Sequence, residues 1–196
     1  MRITANDVKQ LHLDTGAGYM DAKRALEKAN GDAAKAIIAL RKKGVAIAEK
    51  KKSREAKQGV IEMYNHNDGR VCVMLELRCE TDFAAETERF KTLAHELALH
   101  VAAMNPLYVS VGDIPRDVLV RERAVYQAQA RKEQKPEKIL KAIVDGKLQK
   151  YYQTVCLMEQ PYFRDSEQSV QDVVTACVAA LRENVSVKRF ARYELG

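Results

Sequence analysis

The sequence predicts an α+β protein: three helices at the N-terminus, a basic connecting segment, and a small antiparallel sheet of about three strands packed with several helices. Three observations predict it. Over residues 1 to 44, apolar residues recur at helical spacing between capping residues and glycine breaks. Val71, Val73 and Leu75 then alternate with Cys72, Met74 and Glu76 in the two-residue period of a strand. From Phe90 the period changes again, and Leu93, Ala94, Leu97 and Val101 fall on one helical face.

Each element follows from local chemistry. Thr4 or Asn6 can cap a first helix carrying Val8 and Leu11, and Thr15-Gly16-Ala17-Gly18 breaks it, because two glycines relieve the backbone at a tight turn. A second helix carries Met20, Ala25 and Leu26 and stops at Asn30-Gly31. Asp32 caps a third, with Ala33, Ala36, Ile37 and Leu40 as its apolar face, and Gly44 is expected to end it. A unit this small lies near the lower limit for an independent core. The basic stretch 45–58 links it to the main domain, 59–196.

In that domain, Gly59 to Asn65 and Arg70 to Leu77 flank His66-Asn67-Asp68-Gly69, whose Asp-Gly dipeptide marks a hairpin. One long helix is expected from Phe83 to about Met104, where Asn105-Pro106 stops it. Pro115 precedes a polar helix of roughly 117–133. Pro136 opens a stretch carrying Ile139, Leu140, Ile143 and Val144, Gly146 is expected to break it, and Leu148, Tyr151, Tyr152 and Val155 extend the stripe. Together these form a helical hairpin over about 117–160. Val170 to Leu181 reads as a last helix and Val185 to Leu195 as a terminal strand.

With 46% hydrophobic and 31% charged residues, and no apolar run near the roughly 18 of a membrane span, a soluble globular protein is expected. The start carries no secretory pattern. Cys72, Cys79, Cys156 and Cys177 are widely spaced without C-x-x-C, which indicates neither a zinc ribbon nor a redox motif and fits a reducing cytoplasm. Cys177, in register with Val170, Val173, Val174 and Leu181, is expected to be a buried thiol.

The net charge of +6 resides in one stretch. Arg41 to Lys57 carry eight bases and two acids, leaving the remainder neutral. Neither base-stacking aromatics nor a reading helix accompanies them, so direct nucleic-acid binding is not expected. A solvated connecting helix is the plain reading, attraction to an acidic protein the functional one, and a basic RNA- or ribosome-associated adaptor the rival function class.

Enzymatic chemistry finds little support. His95 and His100 are five apart, so on a helix they diverge by roughly 140° and cannot share a zinc ion as histidines four apart do. No phosphate-binding G-x-x-x-x-G-K-[ST] loop, dinucleotide fingerprint or nucleophile elbow occurs. No metal or cofactor is therefore assigned to the chain. The most informative stretch is Glu76 to Phe83, where an apolar strand ends and a helix begins. Thr81 or Asp82 can cap that helix. Phe83 in its first turn either packs on the strands or projects as an anchor for another surface.

Four segments carry a family resemblance. Leu11-His12-Leu13-Asp14-Thr15-Gly16-Ala17-Gly18-Tyr19-Met20-Asp21-Ala22-Lys23-Arg24-Ala25-Leu26 resembles the N-terminal signature of the translation elongation factor Ts family, and Glu76 to Phe83 resembles its second signature, centred on Thr-Asp-Phe. Asn105-Pro106-Leu107-Tyr108-Val109 and the closing Arg189 to Gly196 are similar to its later segments. The order is that of the family, and the chain resembles its short form, which lacks much of a second half-domain. Arg78, Ala84, Ala85 and Glu86 depart from the usual Asn, Val, Arg or Lys, and Asn.

The resemblance implies a guanine-nucleotide exchange factor for elongation factor Tu that is not itself an enzyme. The three helices would form a ubiquitin-associated-type module that docks on the partner's GTP-binding domain, with Tyr19, Met20 and Lys23 as contacts. Met20 as core and Lys23 as merely solvated are the plain alternatives. Thr81, Asp82, Phe83 and Ala84 would act at the partner's magnesium site. A sheet of about three strands leaves an apolar face and an open edge, so a homodimer self-pairing through residues 147–195 is expected, binding two copies of elongation factor Tu, with a helix of the same chain covering the edge as the plain alternative.

Overall fold

The computed structural model describes residues 3–67, 69–132 and 137–196. Two compact units are resolved: Met1–Leu99 with Asp172–Gly196, and His100–Gln171. The architecture is α+β, as the periodicities predict.

The first unit begins with α1 (Ala5–Thr15), α2 (Tyr19–Lys28) and α3 (Ala33–Lys51) around Leu11, Ala22, Leu26, Ala36 and Leu40. Thr4 and Asp7 form a capping box at the start of α1, and Asp32 Oδ1 accepts from Lys35 N at 3.0 Å to cap α3. Gly16 ends α1 in the left-handed conformation (φ 63°). Gly44 does not end α3: the helix runs seven residues further, so a boundary at 44 falls inside it. A glycine costs a helix only about 1 kcal/mol. Gly44 is buried and faces Ala179, whose Cβ would stand 3.4 Å from a Cβ on Gly44, an ordinary contact.

A three-stranded antiparallel sheet follows, in the order β1 (Gln58–His66), β2 (Val71–Cys79), β5 (Ser186–Glu194). Asp68 of the Asp-Gly signal lies outside the described residues. In β2, Val73, Leu75, Leu77 and Cys79 are buried, and register places Leu75 between Glu62 and Phe190. Gly59 is held at φ 148°, where a Cβ would stand 2.1 Å from Leu77 O; only glycine permits that strand approach. The expected single helix after Phe83 is two, α4 (Asp82–Glu86) and α5 (Glu88–Met104). Thr87 separates them at φ −66°, ψ 141°; its hydroxyl donates to Ala84 O at 2.7 Å and accepts from Phe90 N at 3.3 Å, closing one helix and opening the next. Phe90, Leu93, Ala94 and Leu97 of α5 and Val174, Cys177 and Val178 of α8 (Val170–Leu181) are buried.

In the second unit, α6 (Arg116–Lys132) and α7 (Glu137–Val155) pack through Ala130, Val144 and Leu148. Pro136 lies outside the described residues. Gly146 does not break α7, because Val144 and Leu148 on either side are buried against α6 and that packing outweighs one weak position. A hairpin of β3 (Pro161–Tyr162) and β4 (Asp165–Ser169) was not legible in the sequence, since two residues are too few to display a period.

Candidate partner-binding site

β2 passes into α4 through Glu80 and Thr81. Thr81 is extended (φ −124°, ψ 156°), and its Oγ1 accepts from Ala84 N at 3.2 Å. Thr81 is therefore the cap, and Asp82 occupies the first turn, its Oδ1 accepting from Phe83 N at 2.9 Å. Phe83 is 81% exposed, so it projects from the turn. Ala84 is only 6% exposed and packs inward with Ala85. Of the four residues the resemblance singles out, the turn thus presents Thr81, Asp82 and Phe83, while the small side chain at 84 seats it. Beneath lies Cys79, whose S–H donates to Thr81 O at 3.0 Å. Burial, reinforced by the nearby Glu183 carboxylate, pushes this thiol up to about 11, so it remains a protonated donor at neutral pH.

A second exposed patch lies at the start of α2. Met20 is 60% exposed, which excludes the core reading, and Tyr19 and Leu13 are exposed as well. Tyr19 stacks on His12 (centroids 4.1 Å, planes 20° apart), and His12 Nδ1 donates to Ala17 O at 2.8 Å, so the aromatic is held by its own loop. Lys23 pairs loosely with Glu27 at 3.9 Å on the surface. From α5, Arg89 Nη1 donates to Gly16 O at 3.5 Å, and a Cβ on Gly16 would stand 1.9 Å from that guanidinium. The glycine therefore admits an arginine that ties the α1–α2 loop to the helix following the Phe83 turn.

A family model described as Elongation factor TS matches residues 4–196. The chain belongs to the elongation factor Ts family. It is 50% identical over 196 residues to Elongation factor Ts of Syntrophus aciditrophicus, covering 100% of this chain and 98% of that protein. It is 49% identical to the Moorella thermoacetica protein of that name, over 99% of this chain and 96% of the relative. For the Coprothermobacter proteolyticus protein the figure is 48%, with 100% of both covered. Membership makes it a translation elongation factor.

The remaining features bear on the rival readings. In the basic run, Lys51 and Arg54 pair with Glu80 (3.9 and 3.2 Å), Lys43 with Asp21, and Lys57 with Glu55 at 3.0 Å. Half of its eight cations are thereby engaged within the chain, which weakens the case for a phosphate-binding stripe. His95 Nδ1 lies 2.8 Å from Glu62 Oε1, whereas His100 is fully buried, its Nε2 donating to Gln160 Oε1 at 3.0 Å and its Nδ1 accepting from Phe163 N at 3.4 Å. Among the described residues no group of three or more His, Cys, Asp or Glu is arranged to hold a metal ion, and no helix is long and apolar enough to cross a membrane. Sequence reasoning missed Arg89 and Glu183 and gave Glu80, although it lies within the Glu76 to Phe83 segment, no role of its own. Each acts on a residue between 26 and 103 positions away, and no local pattern discloses those contacts.

Proposed function

We propose that the chain is a guanine-nucleotide exchange factor for elongation factor Tu, working in the cytoplasm without covalent chemistry of its own. The observation that carries this reading is Phe83 standing exposed beside Asp82 on a capped, internally hydrogen-bonded turn. Magnesium neutralises phosphate charge and so retains GDP on a GTPase. An acid and an aromatic wedge delivered beside the partner's magnesium site disturb that coordination, with binding energy from the rest of the interface offsetting the distortion. A release barrier lowered by about 5 kcal/mol speeds release by about four decades. Both directions accelerate alike, so the final GDP/GTP equilibrium is unchanged. Tyr19, Met20 and Lys23 supply docking. Release of labelled GDP from elongation factor Tu, with and without the chain, is the direct test, and unchanged release would refute the proposal.

The same reading includes a homodimer carrying two copies of elongation factor Tu. It is supported by the sheet, whose outer face exposes Ile61, Met63, Met74 and Tyr193 and whose edges are β1 and β5. Self-pairing through residues 147–195, which contain β5, would cover such surface with two-fold symmetry. Sedimentation equilibrium under reducing conditions should return twice 22.1 kDa, and a 22.1 kDa monomer across the micromolar range would exclude the dimer.

A further inference from the structure

Three donors from the strand-to-helix junction converge on one carboxylate far away in sequence. Glu183, in the turn between α8 and β5, accepts from Glu80 N (3.1 Å) and Thr81 N (3.0 Å) on Oε2 and from the Thr81 hydroxyl (2.6 Å) on Oε1. The arrangement is reciprocal. Glu80 Oε1 accepts from Asn184 N at 2.7 Å, its Oε2 from Arg54 Nη1 at 3.2 Å, and Asn184 Nδ2 donates to Arg54 O at 2.7 Å. Burial alone would raise the Glu80 carboxyl, but the Asn184 N–H, Arg54 and Lys51 outweigh it and hold the group below its ordinary value. Each glutamate thus accepts from backbone N–H groups of the other's segment, Glu183 from Glu80 N and Thr81 N and Glu80 from Asn184 N, and together they join β2, the α8–β5 turn and the segment after α3.

The junction needs this support. α4 has five residues, too few for a helix to sustain itself, and Asp82 and Phe83 gain no rigidity from burial. Thr81 is the pivot: the hydroxyl that caps α4 by accepting from Ala84 N is the one that donates to Glu183. Losing the carboxylate costs the fold little, since the freed donors lie at or near the surface and water can replace it. The direction of the exposed turn has no such substitute. An anchor held in its bound orientation before contact loses less conformational entropy on binding.

We infer that Glu183 is the positioning residue of the Thr81-Asp82-Phe83 turn, fixing the direction in which Asp82 and Phe83 reach the partner; this rests on the exchange reading above. The test is labelled-GDP release from elongation factor Tu at increasing concentrations of the full chain, resolved into a plateau rate and a half-saturating concentration, with thermal melting alongside. Wild-type chain that fails to accelerate release would overturn the exchange reading and this inference together. With wild type active, Glu183→Ala is expected to lower the plateau about tenfold while half-saturation moves by less than about twofold. Thr81→Val should reproduce that loss, and Thr81→Ser, which keeps the hydroxyl, should restore most of the rate. Combining Thr81→Val with Glu183→Ala should do less harm than the product of the two single effects, because the variants share the contact between the Thr81 hydroxyl and the carboxylate. If Glu183→Ala does not fold, Glu183→Gln, which keeps one acceptor oxygen, should show a smaller loss of plateau. A lowered melting temperature with a wild-type plateau in the Glu183 variants would reduce the carboxylate to a fold contact and overturn the inference, and so would effects of Thr81→Val and Glu183→Ala that multiply.

Discussion

The two exposed patches, at the starts of α2 and α4, are built on opposite principles. Tyr19 and Met20 sit on a helix of ten residues, and the ring of Tyr19 is held by His12 seven positions earlier. Gly18, at the N-cap of that helix, makes no side-chain capping bond. Phe83 stands on a helix half as long, whose cap is gripped by a carboxylate 102 positions later. The ring of the first patch is held by its own neighbourhood in the chain, with Arg89 and Arg182 reaching only the adjoining Gly16 and Asp21, whereas the cap of the second is held by the closing of the whole first unit. A locally built patch suits affinity, whereas acting on a small site inside a partner demands a fixed direction.

That contrast breaks most sharply at the tip itself. Asp82→Ala combined with Phe83→Ala should reduce the plateau rate of GDP release by at least about thirtyfold, the range of interface hot spots. Both side chains are exposed, so melting should shift by no more than about 3 °C. Stopped-flow release and thermal melting separate the two quantities, and undiminished release by a folded double variant would remove these residues from the mechanism. Next in size, Tyr19→Ala with Met20→Ala should raise the half-saturating concentration about tenfold and leave the plateau in place. A fall in plateau instead would erase the proposed division of labour. Point substitutions are preferable to starting the chain near Ala46, because that cut falls within α3.

Acidification should separate long-range contacts by pH. His100 is buried and neutral; burial lowers its proton affinity below the ordinary 6.5, against a smaller opposing effect of the Gln160 hydrogen bond. Near and below 6.5 the unfolded chain therefore binds more protons than the native one, so stability rises with pH there and is lost as pH falls through the lowered native value. Asp21 and Glu76, held low by Lys43 and by Arg189 with Arg78, add stability that is lost only further down, below their ordinary 3.8 and 4.5. Denaturant melts of wild type and His100→Gln across pH 7 to 5 should show the first loss only in wild type, and equal slopes would contradict it.

The smallest effect expected is at the thiols. Cys79, Cys156 and Cys177 are buried and burial pushes each up to about 11, whereas Cys72 is partly exposed. One fast thiol per native chain is expected with a disulfide reagent. Because Cys79 donates to Thr81 O, its slow labelling reports opening of the α4 junction, and faster labelling of Cys79 than of Cys177 in Glu183→Ala would sharpen the comparison of the two patches.

Much of this was legible beforehand. The alternation around Val73 and Leu75, the Asp32 cap and the break at Gly16 are each encoded within a few residues. Chain sequence by itself determined those elements and the family, because period, capping and turn chemistry act between near neighbours. Tertiary structure alone decided that α3 runs through Gly44 and α7 through Gly146, that Thr87 divides one expected helix into two, that Ala84 turns inward while Phe83 turns out, and that Glu183 meets Thr81. A lone glycine's cost of about 1 kcal/mol is outweighed once its helix has a surface to pack on. A carboxylate finds its three donors only after some hundred intervening residues have folded, a distance over which no local pattern carries information.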